Sequence, residues 1–203
     1  QSQRNFKFWA IAFTSFLAAM TSSEKAIILP VILLAWVICF GHLSKSWKNL
    51  VPFWVVGFLF ALALFKGVGL RTAALQSQFY QEPATTNPLI QIPVAITSYL
   101  ELIFWPQNLT LYHSEMVFSN AQYLTRLAGL VLFLGLLLFF LKKDRRIFFW
   151  LTFLPISLLP VLTPFGISWI VAERYAYLGA IGIFVVVAIV IQKIAEIGKN
   201  PKI

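Results

Sequence analysis

The sequence predicts an all-α fold, a polytopic bundle of membrane helices. Of its 203 residues, 60% are hydrophobic and only 11% are charged, against roughly 45–50% and about 25% in ordinary soluble domains. The mean hydropathy is +0.82, and the apolar residues collect in long runs separated by short polar or basic stretches. Twenty phenylalanines and seven tryptophans suit lipid-facing and interfacial positions. About six spans are expected, plus one helix that is interfacial or re-entrant.

Arg4 and Lys7 precede a first apolar run, residues 8–20, short for a span and so tilted or extended on either side. Thr21-Ser22-Ser23-Glu24-Lys25 makes a polar turn into the second run, residues 26–40, with Pro30 tolerated in its first turns. A basic connector with His42, Lys45 and Lys48 leads to the third run, residues 51–65. A long polar stretch follows. Residues 89–105 are apolar, but Gln91, Ser98 and Glu101 recur at spacings of seven and three and so mark one helical face. Residues 127–141 form the cleanest span, closed by Lys142-Lys143-Asp144-Arg145-Arg146. Residues 147–163 carry Pro155 and Pro160, with Pro164 just beyond, so a kinked or broken helix is expected. A last span, residues 176–191, runs into a tail with Lys193, Lys199 and Lys202.

Cytoplasmic loops collect lysine and arginine. With the first residues inside and residues 89–105 not crossing, 11 basic residues lie inside and five outside. If that segment crosses, the count becomes six inside and ten outside. The non-crossing arrangement is therefore expected: six spans, both ends cytoplasmic, and a large outer loop at residues 66–126 holding an interfacial helix at 89–105. Glu24, Glu82, Glu101, Glu115 and Glu173 then lie outside, and only Asp144 and Glu196 lie inside. Such an outer face suits a charged, lipid-linked substrate.

Glu173-Arg174, next to Tyr175 and Tyr177 and between two apolar segments, is the foremost candidate site. Arginine presents a fixed fork of donors suited to phosphate, and a neighbouring carboxylate can orient it. The two tyrosines can stack on a sugar; the plain alternative is an aromatic, salt-bridged helix-end anchor. Glu24 can serve as a base or bind sugar hydroxyls, or simply be a solvated turn residue. His113 and Glu115 share a face only on a strand, which is a weak metal signal, so His113 is taken as a substrate-binding candidate and no metal is expected. Cys39 is the single cysteine, which excludes an intramolecular disulfide and a thiol metal site. No phosphate-cradling glycine loop and no Ser-His-Asp order are present, and no cofactor is expected. The net charge of +9 is dispersed in short clusters between apolar runs, so nucleic acid is not an expected partner.

In order along the chain, Ser22-Ser23-Glu24-Lys25 followed by Ala26-Ile27-Ile28-Leu29-Pro30, the Asn-Pro-bearing stretch 82–89, the Trp-Pro turn within 99–109, the proline-rich 155–164 and Ala172-Glu173-Arg174-Tyr175-Ala176-Tyr177-Leu178 resemble the C-terminal half of GT-C class polytopic glycosyltransferases. The likeness is greatest to protein O-mannosyltransferase-like members, especially those fused to tetratricopeptide repeats. It covers most of the chain. Ser23 departs from it, since that family usually has lysine there.

The resemblance implies transfer of a sugar from a polyprenyl-phosphate donor to a protein or glycan acceptor on the outer, periplasmic or lumenal side. Arg174 would hold the lipid phosphate, Glu173 would orient it, and Glu24 would line the sugar cavity. The family's catalytic acids lie in a first outer loop. With Gln1 leading the chain, a donor-binding fragment, residues 1–203 of a GT-C-like domain, is expected. An integral, multi-pass location in a bacterial inner membrane is expected, with membrane lipid as a further partner. The rivals are a transporter or flippase for lipid-linked sugars and an O-antigen ligase or polymerase-like protein. The absence of a charge in mid-span argues against ion-coupled transport.

Overall fold

The computed structural model describes residues 2–41, 43–75, 88–107, 109, 119–162 and 171–199. Every regular element among them is helical: α1 (Ser2–Ser22), a short 3-10 helix (Glu24–Ile28), α2 (Leu29–Phe40), α3 (Leu43–Leu75), α4 (Pro88–Phe104), α5 (Asn120–Lys143), α6 (Arg145–Leu158) and α7 (Glu173–Lys199). Three helices are long and apolar enough to cross a membrane, over Ser46–Leu64, Asn120–Lys143 and Glu173–Gly198, while Phe6–Ser22 and Ile90–Phe104 are shorter apolar stretches. The chain is therefore a membrane protein, and all-helical among the described residues. α2 and α6, with 12 and 14 residues, fall short of the roughly 17 needed to span alone.

The element ends follow local chemistry. Ser119 forms a capping box with Gln122, accepting Gln122 N–H at 3.3 Å while Gln122 Oε1 accepts Ser119 N–H at 2.9 Å, so α5 begins before its apolar run. α3 continues past Phe65 through Lys66 and Arg71. The outer loop expected at 66–126 is thus helical at both margins. The expected break near the prolines is present: α6 ends at Leu158, and Val161 N–H folds back onto Leu158 O at 2.8 Å ahead of the residues that follow Pro160.

The chain forms two compact units, residues 1–80 and 81–203. In the first, Phe16, Met20 and Phe53 are the buried centre. Phe13 meets Phe53 edge-on at 5.2 Å, and Trp9 donates its Nε1–H to Asn49 O at 3.1 Å, which fixes α1 against α3. Ser23 caps the 3-10 helix by accepting Lys25 N–H at 3.3 Å.

The second unit packs α4, α5, α6 and α7 around Tyr99, Phe133, Ile147, Leu154, Leu158 and Val171. α5 exposes Val131 at 61%, Leu132 at 67% and Leu138 at 69%, an apolar flank that lipid would cover. α6 and α7 are antiparallel and close. A Cβ on Gly179 would meet Leu154 and lie 2.8 Å from Ser157 Oγ, and one on Gly182 would strike the backbone carbonyl of Trp150. Small residues at such crossings let two backbones approach and gain dispersion contacts that lipid cannot supply. At the far end of this pair Asp144 caps α6 and binds Lys193 Nζ at 2.6 Å. That ammonium holds the Asp144 carboxyl below its ordinary range.

α4 is packed within the second unit. It runs antiparallel to α5, with Thr97 against Gly129 and Glu101 paired to Arg126. Gln91 and then Pro93 through Tyr99 are all buried, and Ile92 is partly so. A helix lying at an interface keeps one face in water; this one has none over those residues. Over these residues the polar side chains of Gln91, Thr97 and Ser98 turn into the protein, a burial that suits a re-entrant or crossing helix better than one lying flat at the interface. At about 1.5 Å per residue, α4 is roughly 25 Å long, most of a hydrocarbon core of about 30 Å.

Gly182→Ala is expected to destabilise the second unit by about 1–3 kcal/mol, because a backbone carbonyl blocks the added methyl. Gly135, with nothing within 4 Å of its Cβ position, is the control. Gly135→Ala should be neutral or slightly stabilising in the same detergent-unfolding assay.

Candidate polar site at the amino end of α7

Because α4 and α5 are antiparallel, as are α6 and α7, one end of the second unit gathers the C-terminal ends of α4 and α6 and the N-terminal ends of α5 and α7. Val171 and Ala172 are fully buried there. Tyr99, itself fully buried, accepts Ala172 N–H on its hydroxyl oxygen at 3.2 Å. Tyr175 N–H donates to Ala172 O at 2.9 Å and closes the first turn of α7. A phenol on one helix thus satisfies a backbone donor at the start of another and fixes where α7 begins.

Glu173 stands in that first turn, where the helix dipole favours a carboxylate. Its Oε1 is buried, and among the described residues it has no hydrogen-bond partner. Buried carboxylate oxygens are normally paired, so this one has capacity to accept a hydrogen bond. Arg174 is exposed. Its Nη2 donates to Tyr175 Oη at 3.1 Å, and its guanidinium carbon lies 5.0 Å from the Tyr175 ring centroid. Stacking of this kind orients the guanidinium plane. The second unsatisfied buried atom among the described residues is Ser98 Oγ, one position before Tyr99.

Glu173, Arg174 and Tyr175 are consecutive in the first turn of α7, with Arg174 held against Tyr175. Tyr177 is 74% exposed, which suits a residue facing lipid or headgroups as well as one facing a sugar. Glu24 is exposed in the first turn of the 3-10 helix of the first unit, so it is described with that unit and not with this site. His113 lies outside the described residues. Tyr99 was missed by sequence reasoning, since a single tyrosine in an apolar run looks like a belt residue. The ion pair between Arg126 Nη1 and Glu101 Oε2, 2.5 Å apart, was not anticipated either, although it joins α4 to α5 at this same end. Among the described residues no group of three or more His, Cys, Asp or Glu is placed to hold a metal ion.

Tyr99→Phe removes the acceptor for Ala172 N–H while keeping the ring. It should cost about 1–3 kcal/mol in an unfolding titration and raise amide exchange at the start of α7.

Compared with family models, curated proteins and solved structures, the chain matches none.

Proposed function

We propose that this chain is the membrane part of a glycosyltransferase that takes a sugar from a polyprenyl-phosphate donor on the outer or lumenal side and passes it to a protein or glycan hydroxyl. The observation that carries the reading is the buried, unpartnered Glu173 oxygen beside an exposed, ring-stacked Arg174. A transferred sugar leaves a phosphate whose growing charge must be neutralised, and a guanidinium does this well at the edge of an apolar medium. Glu173 would hold a sugar hydroxyl or steady the arginine. GT-C-like membership, a multi-pass arrangement and a bacterial inner-membrane location belong to the same proposal.

The burial of α4 bears on topology. If α4 crosses and the first residues lie outside, the basic residues sort as ten inside and six outside. That is close to the 11 against five of the non-crossing arrangement, so charge alone does not separate them. The inward polar stripe of α4 favours crossing. Both arrangements put the amino end of α7 outside and the turn at Asp144 inside. They differ over Glu24, which the crossing arrangement places on the cytoplasmic side, away from a donor presented outside.

Arg174→Ala in the intact protein should weaken binding of a polyprenyl-phosphate sugar by about 10- to 100-fold, as loss of a charge-assisted pair implies. Arg174→Lys should recover only part of this, because lysine lacks the planar fork. Unchanged donor affinity in Arg174→Ala would refute the phosphate role. Movement of the lipid-linked sugar across liposomes without transfer would favour the flippase reading instead.

A further inference from the structure

The opposite end of the second unit carries a different chemistry, and it does not depend on the transferase reading. Lys142, Lys143, Arg145 and Arg146 are all exposed around the single residue that joins α5 to α6. Asp144 lies among them, but its carboxylate is committed elsewhere. Oδ1 accepts Arg146 N–H at 3.0 Å and Ile147 N–H at 3.4 Å, and Oδ2 takes Lys193 Nζ at 2.6 Å. Four cations against one carboxylate leave an excess of three positive charges on this turn, and Lys193 of α7 adds a fifth cation beside it. Lys142 and Lys143 sit in the last turn of α5, where the helix dipole favours cations. Arg145 and Arg146 open α6, where the dipole disfavours them, so that pair gains most from an external anion.

The surface beside these cations is apolar and open. On α5, Leu138 is 69% and Leu141 42% exposed; on α7, Ile191 is 60% and Ile194 64% exposed on either side of Lys193. Lys143 Nζ lies 4.8 Å from the Phe139 ring centroid, its stem along that flank. Cations above exposed aliphatic side chains match one kind of partner, a molecule with an anionic head and hydrocarbon tails.

We infer that the turn around Asp144, with Lys193, is a binding site for an anionic phospholipid of the cytoplasmic leaflet. The phosphate is held by Arg145, Arg146 and the two lysines, and the acyl chains lie along Leu138, Leu141 and Ile194. Charge complementarity selects the headgroup, and the apolar flanks select a lipid over a soluble anion.

The test reconstitutes the intact protein in nanodiscs or detergent and titrates phosphatidylglycerol against phosphatidylcholine of the same acyl chains, reading bound lipid by native mass spectrometry. Wild type should retain phosphatidylglycerol selectively, with salt-dependent affinity. Arg145→Gln with Arg146→Gln should lower that affinity by roughly fivefold for each cation removed, and Arg145→Lys with Arg146→Lys should keep most of it. The wild-type comparison needs no variant, so a poorly inserting variant leaves the test intact. Equal retention of both lipids by wild type would overturn the proposal. So would full displacement of phosphatidylglycerol by millimolar inorganic phosphate, which would assign the patch to a soluble anion.

Discussion

The close approach of α6 and α7 is the contact on which the second unit depends. Within lipid, two helices gain little by hiding apolar side chains from each other, since hydrocarbon surrounds both already. What draws them together is direct atomic contact, and the absence of side chains at Gly179 and Gly182 lets Leu154, Ser157 and the backbone of Trp150 come against α7. With α7 held along its length by α6, the Tyr99 hydroxyl on α4 needs only to satisfy Ala172 N–H to fix the start of the helix. Residues 173–175 are then carried in a set position, with Arg174 exposed and its neighbours half-buried.

The same hairpin separates two kinds of charge. Its amino-terminal α7 end has acids and bases in pairs: Glu173 next to Arg174, and Glu101 bound to Arg126. Its other end has an excess of base, with Asp144 neutralised by Lys193. A membrane reads this difference as orientation, because basic loops stay in the cytoplasm. Chemistry reads it differently at each end. A mixed, partly buried pair can receive a neutral sugar and an anionic phosphate together, whereas an exposed basic turn can only attract anions.

The helical elements were legible in the sequence because long apolar runs admit little else in a membrane. Their limits were less so. Lys66 and Arg71 look like loop residues, yet α3 passes through them, since helix propagation does not require apolar side chains. The Ser119 and Gln122 pair was a readable start signal of the capping-box type. In α4 the spacing of Gln91, Ser98 and Glu101 suggested one face, yet Gln91 and Ser98 are buried and Glu101 is exposed, and periodicity does not say whether a face meets water or protein. In an apolar medium polar side chains turn inward, and Gln91 and Ser98 do so. Glu173-Arg174 was visible as adjacent opposite charges between apolar segments. Tyr99 with Ala172 and Asp144 with Lys193 are 73 and 49 residues apart, and no local pattern announces either pair.

The central claim is that the amino end of α7 faces the outer side, where a lipid-linked donor presents its sugar. The direct measurement is accessibility to a membrane-impermeant maleimide in oriented membranes, with Cys39 replaced by serine and single cysteines introduced in place of Tyr177, Arg145 and Ser22. The account predicts labelling of the position-177 cysteine from outside and of the position-145 cysteine only after the membrane is permeabilised; the position-22 cysteine tells the two arrangements apart, labelling from outside if α4 does not cross and only after permeabilisation if it does. Protection of position 177 with outside labelling of position 145 would contradict the orientation, and with it the assignment of Arg174 to an outer phosphate.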